Sequence, residues 1–156
     1  MSFSSASQWI WGREARTNHF MLFARTIEVP DGASMCAIRI TASYHYELFL
    51  NGRFVNRGPV HGDPQWCHYD ELTHVLPDGT RELCVAVVVH HSANIHLHYL
   101  TEAPAGLRAE IRLGNTLVPT DSEWRCMTLP MWRDDVPERG GALDYIEEYD
   151  ARREPP

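Results

Sequence analysis

Lysine is absent from this 156-residue chain: all 14 basic side chains are arginine, set against 21 acidic ones, for a formal net charge of −7. Arginine brings a planar fork that suits carboxylates, aromatic faces and hydroxyl pairs. With an acidic balance and no arginine stripe, nucleic acid is excluded as a partner, because phosphate neutralisation dominates that binding. No run approaches the roughly 18 apolar residues of a membrane span, so no membrane partner is expected. The opening MSFSSASQWIWGREAR has neither a basic start nor an apolar core, which argues against a signal peptide. Cysteine is scarce, and Cys36, Cys67, Cys84 and Cys126 form no C-x-x-C pair. Cys36 and Cys84 sit in apolar runs, where a thiol behaves as a small hydrophobe. Four free thiols in a reducing cytoplasm are the expectation; a disulfide between two of them is the alternative. G-x-S-x-G, P-loop, G-x-G-x-x-G and H-E-x-x-H patterns are all missing.

What is present is a series of short β-like runs with turn chemistry between them. HFMLFARTIEV (19–29), MCAIRITA (35–42), YHYELFL (44–50), GRFVNRG (52–58), ELCVAVVVHH (82–91), IHLHYL (95–100), LRAEIRLG (107–114) and EWRCMTL (123–129) are the predicted strands. In 44–50, Tyr44, Tyr46, Leu48 and Leu50 share one face, the period of two expected of a half-buried strand. VAVVV does not alternate and predicts a strand covered on both sides. Asn51-Gly52 predicts a type I′ hairpin, since both residues tolerate positive φ. Leu48, Leu50, Val85, Val87 and Ile111 are the expected core. With no amphipathic helix longer than two turns, the fold class is all-β: an antiparallel β-sandwich or jelly roll over residues 1–129. Residues 130–156, acidic and broken by Pro and Gly-Gly, read as an irregular tail leading toward a following module that is missing here.

Three constellations carry chemistry. A strand at 95–100 would place His96 and His98 about 6.5–7 Å apart on one face, where they could share a tetrahedral zinc with a third ligand. The plainer reading is a polar strand face. Asp144, Glu147, Glu148 and Asp150 supply carboxylates, but clustered acids on an irregular tail are mostly solvated, and no cleft can be argued around them. Trp9, Trp11, Trp66, Trp124 and Trp132 are numerous for a small β domain. Such rings stack on sugar faces when exposed, though most are expected in the core.

ITASYHYELFLNGRFVNRGPVHGDPQWCHYDELTHVLPDGTRELCVAVVVHH resembles the non-catalytic N-terminal β-sandwich of bacterial α-L-rhamnosidase-like glycoside hydrolases. The matching residues are Ile40, Thr41, Ala42, Tyr46, Leu48, Asn51, Gly52, Gly58, Pro59, Tyr69, Asp70, Leu76 and Gly79, and EEYDARREPP is similar to the family's E-x-Y-D-A-R stretch. The resemblance spans about residues 20–156. It implies a galactose-binding-domain-like jelly roll that serves as an accessory domain, with the catalytic module of the same parent chain as its partner. Since the family's catalytic acids lie in an (α/α)-barrel further along, it assigns no catalytic residue here. Calcium, held by a sugar-binding sandwich in some relatives, stays open.

In NRGPVHGDPQW, Pro59 and Pro64 fix φ while Gly58 and Gly62 permit unusual angles. The result is a stiff crossover displaying Arg57, His61, Asp63 and Trp66 as ligand or interface candidates. Docking against a following module is the first use expected of it; direct carbohydrate contact is the second, and self-association is expected when the chain is alone. The rival reading is an independent carbohydrate-binding module, with sugar or metal near the His-rich strand end.

Overall fold

The computed structural model describes residues 3–60, 62, 66–93, 104–139 and 144–154. Nine strands follow in order: β1 (His19–Glu28), β2 (Met35–Ala42), β3 (His45–Leu50), β4 (Arg53–Gly58), β5 (Asp70–Val75), β6 (Glu82–His91), β7 (Leu107–Leu113), β8 (Thr116–Pro119) and β9 (Arg125–Thr128). They form two antiparallel sheets, β4-β3-β6-β1-β9 and β5-β2-β7-β8, stacked as a sandwich. Side-chain alternation makes the layers. Met21 and Phe23 from β1, Tyr46, Leu48 and Leu50 from β3, and Leu83, Val85, Val87 and Val89 from β6 turn inward. They meet Ile38, Ile40, Leu107, Ile111 and Leu113 of the other sheet. Each large side chain sealed this way contributes about 1.5–3 kcal/mol, and the five expected core residues are all among them.

The connections divide by length. The β1–β2, β3–β4, β5–β6 and β7–β8 turns all lie at one pole and carry the positive-φ glycines Gly32, Gly52, Gly79 and Gly114. Asn51 (φ 47°) joins Gly52 (φ 74°) in the β3–β4 turn, the two positive angles a type I′ hairpin requires. Its side-chain Oδ1 also accepts from the amide of Cys84, tying the turn to β6. The longer β4–β5 and β6–β7 connections, and the segment after β9, sit at the opposite pole.

Several expectations change. Cys84 is exposed, because β6 alternates strictly and its outward residues, Cys84 and then Ala86, Val88 and His90, are at most partly covered. The unbroken apolar run therefore does not mean burial on both sides. Two strands were not predicted. β5, DELTHV, is an edge strand whose outward residues Glu71, Thr73 and Val75 are exposed, with only Leu72, and Leu76 just past its end, packed on the core; β8 is only four residues long. Residues 95–100, and with them His96 and His98, lie outside the described residues. No described helix is long and apolar enough to cross a membrane. No disulfide joins any of the four cysteines.

The segment after β9 folds back on itself. Trp132 bridges Tyr149, Glu138 bridges Tyr145, and the amides of Arg133 and Asp150 donate to the carbonyls of Glu148 and Met131. A 3-10 turn, Ala151–Arg153, is capped by the Asp150 carboxylate.

Candidate functional site

The crossover that leaves β4 is held by a polar clamp between the two sheets. The buried Tyr46 hydroxyl, on β3, donates to Asp70 Oδ2 at the start of β5, and Asn56 Nδ2 donates to the Tyr46 oxygen at 2.8 Å. Burial, followed by the bond to Asp70, pushes the Tyr46 phenol well above its ordinary range. Gly58 is squeezed against this pair: a Cβ there would lie 2.0 Å from Asp70 Oδ2 and 3.1 Å from the Tyr46 hydroxyl. Glycine at 58 is therefore demanded by a close approach. Thr41 Oγ1 adds a bond to the carbonyl of His68 at 2.7 Å, fixing the far end of the crossover.

Of the four candidates on this crossover, Arg57 pairs with Glu47 on the outer face of the sheet, and Trp66 is 77% exposed. His61 and Asp63 lie outside the described residues. Phe54 (59% exposed) and Val60 (70%) leave further apolar surface at the β4 edge and the start of the crossover. Trp132 is instead partly covered, stacked on Phe20 with ring centroids 4.7 Å apart and met edge-on by Tyr149.

At the same pole, histidines sit among aromatic rings. His90 stacks on Phe20 at 4.0 Å, takes the edge of Tyr44, and places Nε2 2.8 Å from Asn18 Oδ1. Asn18 Nδ2 donates to the Arg133 carbonyl, so its Oδ1 is left to accept and His90 carries its proton on Nε2. Burial pushes the His90 pKa down to about 4; neighbouring Asp144 opposes this, while His45 and His91 reinforce it. Burial likewise lowers His91, helped by His19, and lowers His19, helped by Arg16. Asp144 stays below the usual carboxylate range although burial works against it, because Tyr44, Ser92 and the Tyr145 amide all donate to it. Burial works against a positive charge on each of these three imidazoles. The described residues include no group of three His, Cys, Asp or Glu able to hold a metal. Glu147 and Glu148 are exposed, and Glu148 pairs with Arg133.

A second feature was not foreseen. Along the open side of the sandwich, Ser7–Ile10 continues the edge that β8 begins, with Gln8 N bonded to Thr120 O and Ile10 paired with Leu107. Between this segment and the β8–β9 connection lies a cavity of about 400 Å³ lined by Trp9, Trp11, Trp124, Phe23, Gln8 and Asp121, with Ser122 and Cys126 at its margin. Its signal in the sequence is the pair SQWIW and TDSEW, two indole-bearing stretches over a hundred residues apart. Only the fold brings them together.

Comparison with solved structures places the whole sandwich. The chain is similar to part of a GH78 family rhamnosidase of Bacillus sp. GL1, with 29% identity over 97% of this chain and 16% of that one, at a TM-score of 0.85. It also resembles in fold part of an α-L-rhamnosidase from Aspergillus terreus (21% identity, 91% of this chain, 18% of that one, TM-score 0.62). A lectin from Pleurotus ostreatus, solved in complex with GalNAc, shares the fold at 17% identity over 90% of this chain and 42% of its own, TM-score 0.59. The chain thus matches one small domain of larger rhamnosidases and spans less than a fifth of their length. No family model and no curated protein matches it.

Proposed function

We propose, from a match that covers nearly all of this chain and only a sixth of a rhamnosidase, that it acts as an accessory, non-catalytic β-sandwich domain of an α-L-rhamnosidase-like glycoside hydrolase. That coverage is the observation that carries the reading. The partner is the catalytic module of the same parent chain, and the surface offered to it is the β4 edge with Phe54, Val60, Arg57 and Trp66. Apolar surface of this kind, rimmed by charge, is typical of contacts between domains. Four cysteines outside any disulfide, three of them exposed, suit a reducing cytoplasm. The purified chain should leave an aryl α-L-rhamnoside unhydrolysed. Turnover that vanished in Glu147→Gln or Glu148→Gln would overturn the non-catalytic reading.

A carbohydrate-binding role is the second reading. The likeness in fold to a lectin favours it, and so does the indole-lined cavity.

A further inference from the structure

We infer that the cavity between Trp9 and Asp121 is a binding site for a single pyranose ring, distinct from the crossover and meeting the histidine box only behind its wall, where Trp11 packs edge-on against His19 and His91. The inference rests on the carbohydrate-binding reading but assigns the ligand to a different place from the strand end considered above.

The cavity's size is at the low end of small-molecule sites, roughly 300–1,000 Å³, which fits one sugar unit better than a chain. Its walls combine two chemistries. Trp9 is 44% exposed and lines it together with partly buried Trp11 and buried Trp124 and Phe23. Trp11 and Trp124 have spent their indole N–H groups on the carbonyls of Glu14 and Pro119, so they offer ring surface alone. Trp9 is held in place by Gly106, where a Cβ would lie 2.6 Å from its Cε3. Opposite stand polar groups with capacity to spare. Asp121 Oδ1 accepts from Arg25 at 2.7 Å and from the Glu123 amide at 2.9 Å, and its Oδ2 takes no hydrogen bond among the described residues. Nor do the Gln8 side-chain carboxamide or the Ser122 hydroxyl, both at exposed residues, bond to any described residue. The Arg25 pair fixes the carboxylate to β1, so its position at the cavity is set before any ligand arrives. A ligand with an apolar C–H face and a rim of hydroxyls satisfies both walls at once. A purely apolar guest would leave Asp121 Oδ2 desolvated, and a small polyol would leave the rings uncovered.

The test uses the full chain, with side-chain N–H resonances of the tryptophans and Gln8 followed during titration to high millimolar concentration. The probes are methyl α-L-rhamnopyranoside, methyl β-D-galactopyranoside, methyl α-N-acetylgalactosaminide, cyclohexanol and glycerol. At least one pyranoside should shift the Trp9 and Gln8 signals saturably and slow maleimide labelling of Cys126, with cyclohexanol and glycerol inert. Asp121→Asn, which keeps the shape and the Glu123 contact, should weaken that binding by about tenfold. Trp9→Ala should abolish it while the remaining spectrum stays native. Sugar-induced shifts confined to Trp66 or Trp132 would overturn this site and leave the carbohydrate-binding reading standing. Absence of any saturable sugar shift would overturn both. Equal response to cyclohexanol would show an apolar docking slot and overturn the sugar assignment.

Discussion

Replacing His90 with glutamine tests whether the aromatic box holds its imidazole neutral. Glutamine keeps a donor for Asn18 Oδ1 and cannot titrate. In the folded chain the ring is depressed from an ordinary 6.5 to about 4, mainly by burial. Between these two values the unfolded chain binds the extra proton and the folded chain does not. Stability from this group is therefore complete above pH 6.5 and is lost as the pH falls toward about 4. With about 1.4 kcal/mol for each tenfold, the ceiling on that loss is about 3 kcal/mol. His19 and His91 are depressed in the same sense and add to the slope of both proteins, so the difference between the curves isolates His90. Urea unfolding at a series of pH values between about 7 and 4.5 should show the parent losing stability faster than His90→Gln, by about one proton at the steepest point. The variant has its own packing cost, which lowers the whole curve without tilting it. Parallel curves for the two proteins would refute the argument, and so would a His90 ring titrating near 6.5 by NMR.

Tyr46→Phe removes the donor that faces the Asp70 carboxylate and should cost about 1.5–3 kcal/mol, the usual worth of a hydrogen bond to a charged group. Gly58→Ala should cost more, because its Cβ meets that carboxylate at 2.0 Å; equal or greater thermal stability would contradict the clamp. The exposed β4 edge should drive weak self-association at high concentration, with Trp66→Ser shifting sedimentation toward monomer. In native buffer, Cys67, Cys84 and Cys126 should react with a thiol reagent. Cys36, fully buried and pushed up to about 11 by that burial, should react only on unfolding.

The limits of the apolar strands were legible in advance: β2 and β6 match theirs, though the unalternating sequence of β6 hid its one-sided burial, and β3 differs only because the chain bends at Ser43–Tyr44 before pairing begins. β5 was not legible, since an edge strand with mostly polar residues looks like loop until a partner lies beside it. Arg57 and Trp66 could be singled out because prolines and glycines announce a crossover from local sequence alone. The Tyr46–Asn56–Asp70 clamp could not, as it depends on which strands face each other across the sandwich. The indole-lined cavity was hidden for the same reason. Trp9 and Asp121 become neighbours only when the N-terminal segment takes over the edge that β8 leaves unfinished.

The division of connections between the poles gives the molecule a plastic end and a fixed end. Gly32, Gly52, Gly79 and Gly114 all turn the chain at the same pole, and none has an atom within 4 Å of where a side chain would begin. The opposite pole carries the clamp, the histidine box and the returning tail. Foreign loops grafted at the four glycine tips would thus form a new cluster on one side of a scaffold whose organised surfaces stay untouched.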